Sequence, residues 1–456
     1  MSADAGAVPP PRLHRAWSRV TRFVPEGAAL LSALIFGSYL LGLVRDRAFA
    51  RTFGAGAELD AYNAAFVLPE LLLDVLVEAG LAAPFIPIFL QLRSEGDGRE
   101  GDRFGRTILT GAVTIMGVAA IAMFVFAEQT TALIAPGFDA GQRDLYVRLF
   151  RVMLVTPILF AVSLTLGQVL LAEQRFFWYG LAPLLYNAGI ILGTVAFSDA
   201  LGIFGPAIGA LIGAVLHLAS RFVGLRRSSF RIGLGRGFRV PAVREFVRLM
   251  LPKTASQPVE PMTFLFFTSV ATTLAAGSVS AISFARNFQS VPVSLIGVAF
   301  ALAVFPSLST AHAEGDRPSF LRLLRTNLVS ITVLTVVAAI GLAVVGGLAI
   351  RVLLGGGSFD AEDVAITSSV LAAFAISVPF ESLAHLLSRA IYATRHTLLQ
   401  VLASLAGLGI TVLATQLLLG ELAIVAIPIG FAIGQAAKVG LLGLALAIRL
   451  RGWRPT

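Results

Sequence analysis

Cysteine is missing from all 456 residues, which excludes disulfides, thiolate metal sites and a cysteine nucleophile. Charge is scarce: only 13% of the chain is Asp, Glu, Lys or Arg, about half the share of a soluble domain. With 57% hydrophobic residues and a mean hydropathy of +0.85, a soluble globular enzyme is excluded. Histidine is sparse as well. His217 and His385 fall in apolar runs with no second ligand at metal spacing, and they read as satisfied core residues. No nucleophile–base set appears and the loops are too short for a catalytic domain, so neither an enzyme nor a cofactor is expected. The net charge of +9 lies mostly in loops on one side of a membrane and does not point to nucleic acid.

What the chain has is apolar runs of spanning length, about 20 residues being enough for one crossing. Twelve are expected, near 28–52, 61–91, 107–127, 145–171, 177–198, 203–224, 245–275, 280–310, 325–350, 364–393, 397–419 and 421–448. The runs are continuous rather than alternating, which excludes a β-barrel. Arginines gather in the tails and even-numbered loops, with Arg389 and Arg395 counted in one of them and the densest set over 221–248, whereas odd-numbered loops are short and neutral or acidic. The positive-inside rule then puts both termini in the cytoplasm. The division is a basic cytoplasmic segment 1–27, a first lobe 28–224, a basic cytoplasmic linker 225–244, a second lobe 245–449 and a cytoplasmic tail 450–456. Residues 11–24 either lie along the headgroups or form a solvated flank.

The stretch 83-APFIPIFLQLRSEGD-97 is similar to 302-LAVFPSLSTAHAEGD-316, a repeat with a period near 219 residues. Six spans per copy is an even number, so both copies enter the membrane the same way. The fold class is therefore all-α: twelve transmembrane helices in two parallel six-helix lobes with a midplane cavity.

Ionisable groups at membrane depth are expensive and usually face a cavity. Arg45 and Asp46 lie in the outer half of the first span, and Asp60 lies at the outer mouth of the second. Glu70, Asp74 and Glu78 follow at i, i+4 and i+8, which puts three carboxylates on one face. Lys253 and Glu260 sit in the seventh span, Arg286 in the eighth, Glu381 in the tenth and Lys438 in the twelfth. Like charges one turn apart repel, so the ladder must pair with cations, take up protons or face water.

The run 42-GLVRDRAFARTFGAGAELDAYNAAFVLPELL-72, with Glu78 and 85-FIP-87, resembles the opening of the MurJ/MviN family, the lipid II flippases of the MOP superfamily. The likeness continues through 134-IAPGF-138, 167-GQVLLAEQRF-176, 181-LAPLLYNAGIILG-193, 275-AAGSVSAISFARNFQSVPVSLIGVAFALAVFPSLS-309 and 388-SRAIYATRHT-397. This chain differs by having twelve expected spans where members usually have fourteen. Tyr39 stands where the family has an Arg, Leu73 and Asp74 where it has a basic pair, and Arg286 is displaced by one position.

The resemblance implies a MOP-type fold in the bacterial inner membrane and outward movement of a polyprenyl-pyrophosphate-linked peptidoglycan precursor by alternating access. The cavity set read from charge at membrane depth is Arg45, Asp46, Asp60, Glu70, Asp74, Glu78, Lys253 and Arg286, of which Arg45, Asp46, Asp60 and Glu78 match family positions. Arg45 and Arg286 would meet the phosphates, Asp46 and Asp60 would form the outer gate, and the ladder would tune charge or couple protons. Partners are the lipid-linked glycan, membrane lipids and a coupling ion or the membrane potential; a monomer is expected. The alternatives are a flippase for another lipid-linked oligosaccharide, an ion-coupled multidrug exporter of the same superfamily, and a scaffold acting through 221–248.

Overall fold

A computed structural model describes residues 26–75, 79–94, 98–255, 259–394 and 396–451. They form eighteen α-helices in chain order: α1 Glu26–Phe53, α2 Ala57–Leu73, α3 Ala79–Ser94, α4 Arg99–Val125, α5 Ala127–Ile134, α6 Ala140–Met153, α7 Val155–Ala172, α8 Phe176–Leu201 and α9 Phe204–Leu225, then α10 Pro241–Ala255, α11 Val259–Ala271, α12 Ser278–Pro292, α13 Ala299–Ala313, α14 Arg317–Leu353, α15 Ala361–Ala375, α16 Ser377–Ala393, α17 Thr397–Leu422 and α18 Ala426–Arg451.

Each expected span overlaps one helix or two successive helices. Among the described residues seven stretches are long and apolar enough to cross a membrane unaided, and α15 with α16, bent by 42°, gives an eighth. The stretch Thr397–Arg451 holds two antiparallel helices, α17 and α18, packed side by side. In the second expected span α2 runs to Leu73 and widens into a π turn at Asp74 and Val75, and the described residues resume with α3 at Ala79.

The breaks have a shared cause. Pro157 and Pro379 have no N–H to bond the carbonyl four residues earlier, so α6–α7 breaks at Leu154 and α15–α16 at Ile376. Hydroxyls bond carbonyls at each break: Thr156 Oγ1 donates to Met153 O, the acceptor that Pro157 leaves free, and Ser377 Oγ donates to Phe374 O, both at 2.7 Å. The two breaks are equivalent positions of the two halves. So are the ends of α8 and α17, where Gly202 (φ 55°) and Ala423 (φ 47°) adopt the same turn. The repeat expected from two short stretches thus extends along the chain.

α8 and α9 pack through glycine. A Cβ on Gly189 would come within 2.4 Å of the Gly213 backbone, and one on Gly193 within 2.4 Å of Gly209. Glycines four residues apart allow that approach.

The apolar core shows the shape of the molecule. At one end a single cluster joins both halves, with Phe49, Tyr62, Tyr146 and Phe150 beside Phe267, Phe284, Phe374 and Phe431. Toward the other end it divides. One cluster, around Phe85, Phe104 and Leu166, belongs to the first half; the other, around Leu308, Phe320 and Leu442, belongs to the second. The bundles therefore diverge from a closed end toward the end that carries the arginine-rich loops. α10 crosses that division: Val243 and Phe246 pack in the first half's cluster, although the sequence reading starts the second lobe there. The segment 226–240 is also docked on the first half. Arg93 joins Glu173, Asp102 and Ser229, and Gly235 N–H donates to Thr110 Oγ1.

Candidate functional site

At the closed end the bundles are stitched by helix termini. Asp60, on the first turn of α2, accepts from the Gly277 N–H (2.7 Å), the Ser280 N–H (2.8 Å) and the Ser280 hydroxyl (2.7 Å). The carboxylate thereby caps α12 from the opposite bundle, where unpaired N–H groups and the helix dipole favour an anion. Gly277 has φ +91°, and a Cβ there would lie 2.0 Å from Ala55 O, so the position needs glycine. The reciprocal bond runs from Ala55 N–H to Asp363 Oδ2 at 3.0 Å. Arg47 donates to Val352 O and Leu353 O at 2.9 and 2.7 Å, which closes the carboxyl end of α14.

Below this latch lie two buried arginine assemblies. Arg45 is eight residues before the end of α1 and donates to Asp46 at 2.8 and 3.1 Å and to Asn187 at 3.2 Å. The second Asp46 oxygen accepts from Asn287 at 2.7 Å, so this assembly also links the bundles. Arg286, eight residues into α12, forms a two-pronged pair with Glu381 at 2.7 and 2.9 Å and also bonds Gln289. Its guanidinium lies 5.2 Å from the Phe431 ring, with Glu260 at 4.0 Å.

Between the diverging bundles is a cavity of about 1440 Å³. It runs from Arg45 and Phe49 near the closed end to Leu249, Tyr392, Thr397 and Leu398 at the basic end. The first bundle contributes Arg45, Tyr62, Glu70, Asp74 and Tyr186; the second contributes Glu260, Arg286, Glu381, His385, Arg389, Gln435 and Lys438.

The structure thus brings Arg45, Glu70, Asp74 and Arg286 to one cavity, with Asp46 directly behind Arg45. Asp60 does not line it and belongs to the latch. Glu78 and the Lys253 side chain lie outside the described residues, so the ladder is described as far as Asp74. His217 is buried and bonded to Ser163 Oγ at 2.7 Å, whereas His385 faces the cavity rather than the core. Arg221, assigned to a loop by sequence, is 1% exposed inside α9 and donates to Trp178 O and Tyr179 O. Arg389, also counted with the loops, is a cavity residue. Its signal was the spacing Glu381, His385, Arg389, which is one helix face. Asn187, Asn287 and Gln289 are neutral and stood out only as polar residues within apolar runs.

The family described as lipid II flippase MurJ matches residues 49–454. A probable lipid II flippase MurJ of Thermotoga maritima is 31% identical over 363 residues, which cover 79% of this chain and 72% of that protein. One from Rickettsia prowazekii is 25% identical over 417 residues, 91% and 82% of the two chains. A solved lipid II flippase MurJ in an inward closed conformation superposes with TM-score 0.78 at 25% identity, over 92% of this chain and 87% of that one. An inward-facing multidrug resistance MATE family transporter of the MOP superfamily reaches TM-score 0.79 over 94% and 99%. At 15% identity that second likeness is one of fold.

Proposed function

The chain belongs to the lipid II flippase MurJ family, and we propose that it carries lipid II from the inner to the outer leaflet of the bacterial inner membrane through the cavity between its bundles. The observation that carries this reading is a charged cavity sealed at one end by hydrogen bonds between two repeated bundles and widening toward the other. Translocation makes and breaks no covalent bond, so no enzymatic activity is assigned. In this reading the chain crosses twelve times, as lobes 28–224 and 245–449 joined by 225–244, with both termini in the cytoplasm.

In this reading the events follow in order. The headgroup enters from the cytoplasm while the tails stay in lipid. Arg45 and Arg286 wait in the ceiling, each already held by a carboxylate. Pyrophosphate oxygens compete with Asp46 for Arg45, and loss of the Asp46–Asn287 link loosens the ceiling. Asp60 then releases α12 and the closed end opens. Glu70, Asp74, Glu78 and Lys253 set the charge the headgroup passes. An inside-negative potential favours outward movement of an anion by about 2.3 kcal/mol per elementary charge per 100 mV. The proposed working unit is a monomer, a reading supported by a cavity lined from both bundles of one chain.

An exporter of cationic compounds is the second reading, and the specific observation in its favour is the acidic first-bundle wall of Glu70 and Asp74. Expression in cells depleted of their own lipid II flippase separates the two. Restored exposure of lipid II headgroups at the outer surface supports the flippase reading. Failure of a membrane-inserted chain to restore it, together with drug resistance abolished by Asp74→Asn, supports the exporter.

A further inference from the structure

The two walls of the cavity differ in charge. Among the described residues, the first bundle presents Arg45 against Glu70 and Asp74, while the second presents Arg286, Arg389 and Lys438 against Glu260 and Glu381. An anionic headgroup is therefore drawn to the second bundle. Arg286 is committed there to the two oxygens of Glu381. Arg389 is not. Its guanidinium rests 5.6 Å from the Phe305 ring, and among the described residues no carboxylate lies within ion-pair distance of it. It is four residues from the end of α16, at the mouth of the cavity.

Deeper on the same side, the Lys438 stem packs against Gly407, where an added Cβ would meet it at 3.1 Å. Gln435, one turn away, and Gln400 on α17 each keep a buried amide oxygen with no hydrogen-bond partner among the described residues. Both glutamines line the cavity. Buried acceptors left empty call for a donor, which a bare phosphate dianion does not have. A ligand matching this wall needs anionic oxygens for the cations and O–H or N–H groups for the amides.

We propose that Arg389, Lys438, Gln400 and Gln435 form a docking subsite for a sugar diphosphate headgroup, distinct from the ceiling arginines and reached before them. The diphosphate oxygens bond Arg389 and Lys438, and a hydroxyl or acetamido N–H of the first sugar bonds the glutamine oxygens. This rests on the flippase reading.

The test is equilibrium binding to the full chain in lipid nanodiscs, with lipid II, farnesyl diphosphate and farnesol as probes. Wild type is expected to bind lipid II most tightly, farnesyl diphosphate less tightly and farnesol least. Arg389→Gln with Lys438→Gln weakens both diphosphates by about 30-fold or more and flattens their salt dependence, since two charge-assisted bonds are lost. Arg389→Lys, which keeps the charge, recovers part of the loss and serves if the double variant misfolds. Gln400→Leu with Gln435→Leu weakens lipid II by about tenfold but leaves farnesyl diphosphate within about twofold. Wild-type binding of both diphosphates by the charge variants overturns the subsite while leaving the flippase reading intact. Equal weakening of both probes by the glutamine variants overturns the sugar contact. A wild type that binds neither diphosphate overturns the flippase reading itself.

Discussion

Asp60 and Ser280 are joined twice across the two bundles: one carboxylate oxygen accepts from the Ser280 N–H at 2.8 Å and from its hydroxyl at 2.7 Å. The other oxygen accepts from Gly277, so one side chain from α2 holds two backbone N–H groups at the amino end of α12. The latch needs no special motif, only an acidic residue in one half set against the helix start of the other.

Asp60→Asn removes the charge and leaves a single good acceptor. Losing part of a buried, charge-assisted set costs about 1–3 kcal/mol, which shifts the closed-to-open ratio by about 5-fold to 150-fold. Spin labels on Gln129→Cys and Glu421→Cys, in a chain with no native cysteine, report the closed-end separation. A longer distance population is expected in the variant; an unchanged distribution contradicts the latch.

The Arg286–Glu381 pair gives a sharper separation of stability from function. Glu381→Ala leaves a buried guanidinium without its two-pronged partner and is expected to cost about 3–5 kcal/mol. Arg286→Met combined with Glu381→Leu is expected to melt near wild type, because replacing a buried pair with apolar groups is often neutral. Transport is expected to fail in both. Full transport by the double variant removes the pair from the mechanism.

Packing of α8 on α9 makes a simple prediction. Gly189→Ala drives a methyl to 2.4 Å from the Gly213 backbone and is expected to lower the melting temperature clearly, at a cost of about 1–3 kcal/mol. Gly117→Ala, with nothing within 4 Å, is expected to leave it unchanged or slightly raised.

Ala423 repeats the turn that Gly202 makes in the first half, but with a side chain at φ 47° and ψ −128°. That backbone region suits glycine and costs other residues about 1–3 kcal/mol. Ala423→Gly is expected to raise the melting temperature; a fall contradicts strain at this turn.

Much of the architecture was legible because apolar length and arginine placement are one-dimensional signals. Arg45, Glu70, Asp74 and Arg286 were found by their depth alone, since a charge in an apolar run has few places to go. Helix breaks were less legible. Pro157 and Pro379 sit in runs whose hydropathy never falters, so hydropathy saw one span where the backbone makes two helices. Pairings were not legible at all: Arg286 meets Glu381 from 95 residues away, and Asp46 meets Asn287 from 241. Arg389 and Arg221 were misassigned for a related reason. Both lie near helix ends, where sequence cannot tell a solvated arginine from one turned inward.

The most direct test locks the closed end. Asn63 and Ser280 face each other across the bundles, Nδ2 to Oγ at 3.3 Å, and a cysteine pair there has no native thiol to compete with it. Exposure of lipid II headgroups is measured in cells depleted of their own flippase that express Asn63→Cys/Ser280→Cys, with and without reductant. The account predicts exposure when the pair is reduced and none when it is oxidised. Equal exposure in both states, with the cross-link verified, contradicts passage of the headgroup between the bundles.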